Sequence, residues 1–290
     1  MKVIALADVH QSEQHWEYLV EAVCEQKPDL VLIAGDLLPK YNGILPQVKY
    51  ISRIKEYCRE IKESGAELVL ILGNDDNQLA IPEMEQGDRE GLWHHVQDRC
   101  RQVRGYNFCG CPWINDYPFA YKYWVAAESR EDLSICPFQL GPPALINEKN
   151  EIEEIPSLET YLKNKLSIRE ALQSMAGKVE DFSRSIWLIH CPPAGLDLDL
   201  CGSGERVGSP EIYKFIKEKQ PLLTIHGHIH EAPACNGGVW ARKLGRTMVI
   251  QPGQSYEDLN YVTFDLSNGE INEMKHSVYG VYEGYSQQSK

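Results

Sequence analysis

The sequence predicts an α/β fold whose core sheet is largely parallel. Two observations carry this. Short runs rich in Val, Ile and Leu recur along the first 230 residues, each too short for a helix and apolar throughout, as in strands buried on both faces. Segments with apolar residues at helical spacing separate several of these runs, and strands alternating with helices build parallel sheets.

The runs are "KVIALA" (2–7), "DLVLIAG" (29–35), "ELVLILG" (67–73), "SIWLIH" (185–190) and "LLTIHG" (222–227). After the first, Trp16, Leu19, Val20 and Val23 share one helix face. Before the third, Val48, Ile51, Ile54, Cys58 and Ile61 do the same. Ser209 followed by Pro210 starts a helix whose inner face holds Ile212, Phe215 and Ile216. The C-terminal part changes character. "TMVIQPG" (247–253) and "NYVTFDL" (260–266) read as strands, and "SNG" (267–269) as a tight turn, so an antiparallel meander is expected there. From about 105 to 183 the pattern loosens into an aromatic, Gly- and Pro-rich stretch, a "GPP" linker and a helical stretch over about 157–180. This is expected to be an elaboration beside the core of a single domain spanning 1–290. The tail "EGYSQQSK" is expected to fray.

Composition excludes several functions. The net charge is −13, from 29 basic and 42 acidic residues, which repels nucleic acid and anionic membranes. No run approaches the roughly 20 apolar residues of a membrane span. The N-terminus is too short an apolar stretch for a signal peptide and has no cleavage-like site. Nine cysteines, scattered and with no C-x-x-C pair, suggest reduced thiols packed as small hydrophobes in a cytoplasmic protein.

The runs end in chemistry. The first ends in Asp8-Val9-His10, the second in Gly35-Asp36, the third in Gly73-Asn74-Asp75-Asp76, the fourth at His190 and the fifth in His226-Gly227-His228. Ligands of open α/β sheets bind beyond the carboxyl ends of the strands. Asp8, His10, Asp36, Asn74, His190, His226 and His228 therefore converge if the strands are neighbours. Oxygen and nitrogen donors without thiolate suit Mn²⁺, Fe²⁺, Zn²⁺ or Co²⁺, with Mn or Fe favoured. Seven ligands exceed one tetrahedral ion and fit two ions sharing a carboxylate, with Asp36 as the bridge.

The order D-x-H, G-D, G-N-x-D, H and H-G-H, spanning residues 8–228, resembles the calcineurin-like metallophosphoesterase superfamily, and "PG" at 252–253 matches a turn of that family. The resemblance implies a sandwich of two mixed β-sheets flanked by helices, in four layers. It implies a first metal held by Asp8, His10, Asp36 and His228, and a second by Asp36, Asn74, His190 and His226. It implies hydrolysis of a phosphate ester by a metal-bridging hydroxide, with Asn74, Asp75 and Asp76 as the catalytic motif. The third motif departs from the family's Gly-Asn-His-Asp: Asp75 replaces the His that faces the substrate. A carboxylate there is a poor general acid and repels a phosphate dianion, so a small phosphodiester is the expected substrate.

Other residues are weaker candidates. Arg206, in "GSGERVGSPE" ahead of a helix N-terminus, could clamp a phosphate oxygen. His94 or His95 could supply the missing proton. His230 and Glu231 could support the ligands from behind, while Cys191 reads as packing. The aromatic run Tyr117–Trp124 could stack a base or simply cover the core. A nuclease and a catalytically impaired scaffold of the same superfamily are the competing functions. Oligomeric state is not legible.

Overall fold

The protein is described by a computed structural model covering residues 1–10, 12–40 and 44–284. Of the tail, residues 285–290 lie outside the described residues. The first half of the chain runs β1 (Lys2–Leu6), α1 (Glu13–Gln26), β2 (Leu30–Ala34), α2 (Ile44–Glu63), β3 (Glu67–Ile71), α3 (Ile81–Arg89), β4 (His94–His95), β5 (Cys100–Val103) and β6 (Tyr106–Cys111). The middle holds a small hairpin, β7 (Ala144–Ile146) and β8 (Ile152–Glu154), then α4 (Leu158–Lys163) and α5 (Ile168–Ala176). The rest runs β9 (Ser185–Ile189), α6 (Pro210–Lys219), β10 (Leu223–Ile225), α7 (Ala232–Cys235), β11 (Ala241–Leu244), β12 (Thr247–Ile250), β13 (Val262–Ser267), β14 (Glu270–His276) and β15 (Gly280–Val281).

Two mixed sheets form the centre. One has the order β15-β14-β13-β1-β2-β3-β4, the other β11-β12-β10-β9-β6-β5. Alternation along each strand explains why these runs are apolar throughout. Val3 and Ala5 of β1, with Leu30, Leu32 and Ala34 of β2, pack in the layer between the sheets. Ile4 and Leu6, with Val31 and Ile33, pack on the opposite face against α1 and α2. The second sheet does the same. Ile186 and Leu188 face the first sheet, and Trp187 and Ile189 face α5 and α6. The layers are helix, sheet, sheet, helix, as expected.

Local chemistry sets the helix starts. Ser12 and Ser209 accept from the backbone N–H of His15 and Ile212, capping α1 and α6. Ser167 and Glu170 form a reciprocal capping box at α5.

The structure departs from the sequence expectation in four places. The C-terminal strands are not one meander. β11 and β12 complete the second sheet, β12 lying parallel to β10, and only β13–β15 form an antiparallel meander on the first. The elaboration begins after Cys111, because β6, "YNFCGC", is a central strand parallel to β9. Its Gly and Cys hid it: Gly110 has no side chain because β3 and the segment after β4 press on it. The helical stretch is two short helices, α4 and α5. Finally, not all thiols are free. Cys100 and Cys109, paired across β5 and β6, form a disulfide, and the other seven cysteines are free. No helix among the described residues is long and apolar enough to cross a membrane.

A Cβ on Gly110 would run into Ile71 Cγ2 and lie 2.5 Å from the Val96 carbonyl oxygen. Gly110→Ala is expected to wedge the sheets apart and cost about 1–3 kcal/mol of stability, read from urea unfolding.

Candidate metal centre

The carboxyl ends of β1, β2, β3, β9 and β10 meet at one edge of the sandwich. The loops beyond them interlock: the Asp8 N–H donates to the Gly35 carbonyl at 3.0 Å, and the His10 N–H to the Asp36 carbonyl at 2.7 Å. Asp8, His10, Asp36 and His228 all have positive φ, between 48° and 73°. Non-glycine residues rarely adopt this conformation, and it persists where tertiary contacts force it, often at functional sites. Glycines supply the space. A Cβ on Gly35 would strike His190 Nδ1, and one on Gly73 would lie 2.6 Å from His190 Cε1.

Two groups of donors face one another. In the first, Asp8, His10, Asp36 and His230 bring one ligand atom each within 4.8 Å of all the others, an arrangement that could hold a metal ion. His10 Nε2 lies 3.1 Å from His230 Nε2 and 3.9 Å from Asp36 Oδ2. His230 Nε2 is 3.7 Å from Asp8 Oδ1. In the second, His190 Nε2 and His228 Nδ1 approach Asn74 Oδ1 at 2.9 and 2.6 Å, and His190 Nε2 is 3.4 Å from Asp36 Oδ2. Asp36 is common to both.

The donors fit cations. Asp8 Oδ2 and His10 Nδ1 are buried without a hydrogen-bond partner, and two imidazole nitrogens face each other across the first group. Behind the donors, backbone groups fix their orientation. The His190 Nδ1–H donates to the Ala34 carbonyl at 2.7 Å, leaving Nε2 to face the site. Asn74 Nδ2 donates to Asp75 Oδ1 at 3.1 Å, which turns its Oδ1 inward. The turn at Pro252-Gly253 seats His230: the Gln254 N–H donates to the His230 carbonyl, against which Gly253 packs with φ 64°.

Burial shapes the charges. It pushes the Asp8 carboxyl up, against the pull of His230 and His190. Burial would raise Asp36 too, but His190 and His10 outweigh it and hold Asp36 far below the usual carboxylate range. His190 is its counterpart. Burial lowers it, yet Asp36 and Asp8 lift it to about 9. His10 falls well below its ordinary value by burial, and His228 falls to about 3 by burial and the His190 charge, so both are neutral imidazoles at pH 7.

The structure redistributes the predicted residues. Asp8, His10, Asp36, Asn74 and His190 stand where the strand ends placed them. His228 belongs with Asn74 and His190, not with Asp8 and His10. His226 stands apart: its Nδ1 donates to the Cys191 carbonyl and its Nε2 lies 2.8 Å from Thr224 Oγ1, so both ring nitrogens bind the fold. The reason is register. His226 still pairs as strand, its N–H donating to Ile250, and the chain turns inward only at Gly227, which has no Cβ to meet Ala7 and Asp8. The inward histidines are therefore 228 and 230. His230, expected as a supporting residue, joins Asp8, His10 and Asp36 in the first group, and the period-two spacing "HGHIH" is its signal in the sequence.

Asp76 is likewise a brace. Fully buried, it accepts from the N–H groups of Gly73, Leu37 and Leu38, tying the loop after β3 to the loop after β2. Asp75 reaches the site's rim, where it pairs at 3.2 Å with Lys40, a residue outside the five strand-end motifs. Burial and Asp36 raise its carboxyl to about 6. Arg206 is not an open phosphate clamp; it pairs with Asp197 at 2.7 Å and Asp199 at 3.3 Å. His94 and His95 pair with Glu67 and Glu85 at the far edge of the first sheet. Glu231 accepts from the Gly202 N–H, and Cys191 is buried packing. From the aromatic run, Tyr117 sets its ring edge-on to His228 at 5.8 Å, and Trp124 Nε1 donates to the Asp76 carbonyl. Through Tyr117 the elaboration reaches the site.

The profile of the family described as calcineurin-like phosphoesterase matches residues 1–232. Among curated proteins none matches by sequence. Among solved structures, the protein TT1561 of Thermus thermophilus is similar in fold, with a TM-score of 0.57, 16% identity, and coverage of 93% of this chain and 96% of that one. An archaeal protein described as a novel phosphodiesterase superposes with a TM-score of 0.44 at 12% identity, covering 95% of this chain and 99% of that one.

The two outer histidines of "HGHIH" are separable. His226→Ala leaves the buried Cys191 carbonyl unpaired and is expected to cost about 1–3 kcal/mol. His230→Ala breaks no bond to a buried backbone carbonyl, only the partly buried contact with His10 Nε2 at 3.1 Å, and should move the unfolding midpoint much less than His226→Ala does. Chemical denaturation in the presence of chelator reads both.

Proposed function

The chain belongs to the calcineurin-like phosphoesterase family, and on that premise we propose that it is a metal-dependent hydrolase of a small phosphodiester. The observation that carries this reading is the position of Asp36, whose Oδ2 lies between His10 of one donor group and His190 of the other. The first ion would be held by Asp8, His10, Asp36 and His230, the second by Asp36, Asn74, His190 and His228. Nitrogen and oxygen donors without thiolate suit Mn²⁺ or Fe²⁺. When bound, such ions activate water for attack on phosphorus and neutralise phosphate oxygens.

The chain's own residues supply the rest. Asp75 orients the Asn74 amide and holds Lys40, whose ammonium can meet a phosphate oxygen. Tyr117, its ring against His228, stands on the side of the site toward the elaboration. The Asp75 carboxylate beside the donors disfavours a doubly charged monoester more than a singly charged diester. The small acceptor is supported by the charge of −13, which opposes a polymeric nucleic acid.

Equilibrium dialysis with Mn²⁺ should find two ions per chain, falling to one in His230→Ala. With Mn²⁺, bis-(4-nitrophenyl) phosphate should be hydrolysed faster than 4-nitrophenyl phosphate, and chelator should abolish both; Asp75→His should shift the ratio toward the monoester by at least about fivefold. Preference of the wild type for the monoester would refute the diester assignment. Binding should also be linked to pH. His190 carries a proton below its pKa of about 9, and a ligand must lose it. Mn²⁺ binding at pH 7 should therefore release a proton, and affinity should rise with pH toward 9, as calorimetry in two buffers of different ionisation enthalpy would read.

A further inference from the structure

Among the large apolar side chains that stand in solvent on the elaboration, Ile135 at 40%, Phe119 at 54%, Phe138 at 50% and Leu140 at 66% exposure fall close together in sequence. They lie on two segments, and the fold holds these segments together. The Leu140 N–H donates to the Pro118 carbonyl at 2.7 Å. Asp116, whose side chain is fully buried, accepts from the Cys136 N–H at 3.0 Å and from Gln139 Nε2 at 2.9 Å, while pairing with the fully buried Lys122 at 2.8 Å. A buried ion pair is an expensive way to fix two exposed loops.

One member of the patch, Phe119, is linked to the donor groups by ring contacts. The Phe119 ring lies 5.9 Å from that of Tyr117, and the Tyr117 ring lies edge-on at 5.8 Å to His228. Lys122 sits 4.7 Å over the Tyr117 ring and donates to the Tyr117 carbonyl. The same Asp116–Lys122 pair therefore sets both the ring against His228 and the exposed ring beyond it. Scattered exposed apolar residues need no explanation, but a group joined to a polar site by ring contacts does.

We propose that Phe119, with Phe138 and Leu140, forms a subsite for an aromatic substituent of the phosphate ester, such as a nucleobase or aryl ring. The assignment rests on the phosphoesterase reading and adds the substrate's organic half to it. The donor groups and Lys40 take the phosphate, and the ring stacks on Phe119. Stacking of this kind is tolerant of ring identity, so the subsite selects an aromatic group rather than one base.

The test compares two inhibitors that differ only in the ring, phenylphosphonate and methylphosphonate, on the Mn²⁺-loaded full chain, with direct binding by calorimetry beside inhibition of bis-(4-nitrophenyl) phosphate hydrolysis. Phenylphosphonate should bind roughly tenfold more tightly. Phe119→Ala and Leu140→Ala should erase that preference, and Val281→Ala, at an exposed site on the β15 edge, should keep it. Equal binding of the two phosphonates to the wild type would overturn the subsite while leaving the phosphoesterase reading intact. Binding of neither, with no diester turnover, would overturn that reading and the subsite with it. Sedimentation adds one more decisive outcome: equal binding together with a dimer that Phe119→Ala dissociates would assign the patch to a second copy of the chain.

Discussion

The site depends on a carboxylate in a place where none should be stable alone. Asp36 is almost fully buried, and burial opposes its charge. It keeps that charge because the protonated His190 lies beside it, and because the Asp75 N–H donates to its Oδ1 at 2.8 Å. In return Asp36 keeps a proton on His190. The two sheets bring these groups together, Asp36 from the first and His190 from the second. The sandwich is thus the frame of one electrostatic arrangement, and that arrangement needs positive charge.

The bracing around Asp36 follows from the same need. Gly35 and Gly73 are bare because His190 passes between their loops. Asp76 commits its carboxylate to three backbone N–H groups so that the loops after β2 and β3 move as one. Gln47, on α2, donates to the Asp75 carbonyl and accepts from the Asn77 N–H, extending the clamp to the helix layer. The strained backbone at Asp8, His10, Asp36 and His228 is held by these contacts, which over-determine it.

Much of this is legible in the sequence, and the exceptions have physical reasons. The five buried runs and their polar ends can be read because a strand buried on both faces leaves few polar positions except at its end. β6 cannot, because Gly110, bare for a close approach to Ile71 and Val96, and Cys109 and Cys111, packed in the helix layer, break the run of Val, Ile and Leu that marks the other strands. Asp76 and Asp75 look alike in sequence, yet one ties backbone and the other faces the rim; only the fold around the Gly73 turn separates them. His226 and His230 exchange roles because strand pairing continues through His226, which turns its ring into the fold and leaves the inward positions to 228 and 230. The Arg206 guanidinium looks available until Asp197 and Asp199, several residues earlier, fold onto it.

In the proposed function one carboxylate, Asp36, serves both donor groups. This is tested most directly by counting Mn²⁺ ions bound to Asp36→Asn, with circular dichroism to confirm the fold. The wild type should bind two ions and the variant neither, since each group forfeits its shared anion. Loss of only one ion, or of none, would contradict this sharing.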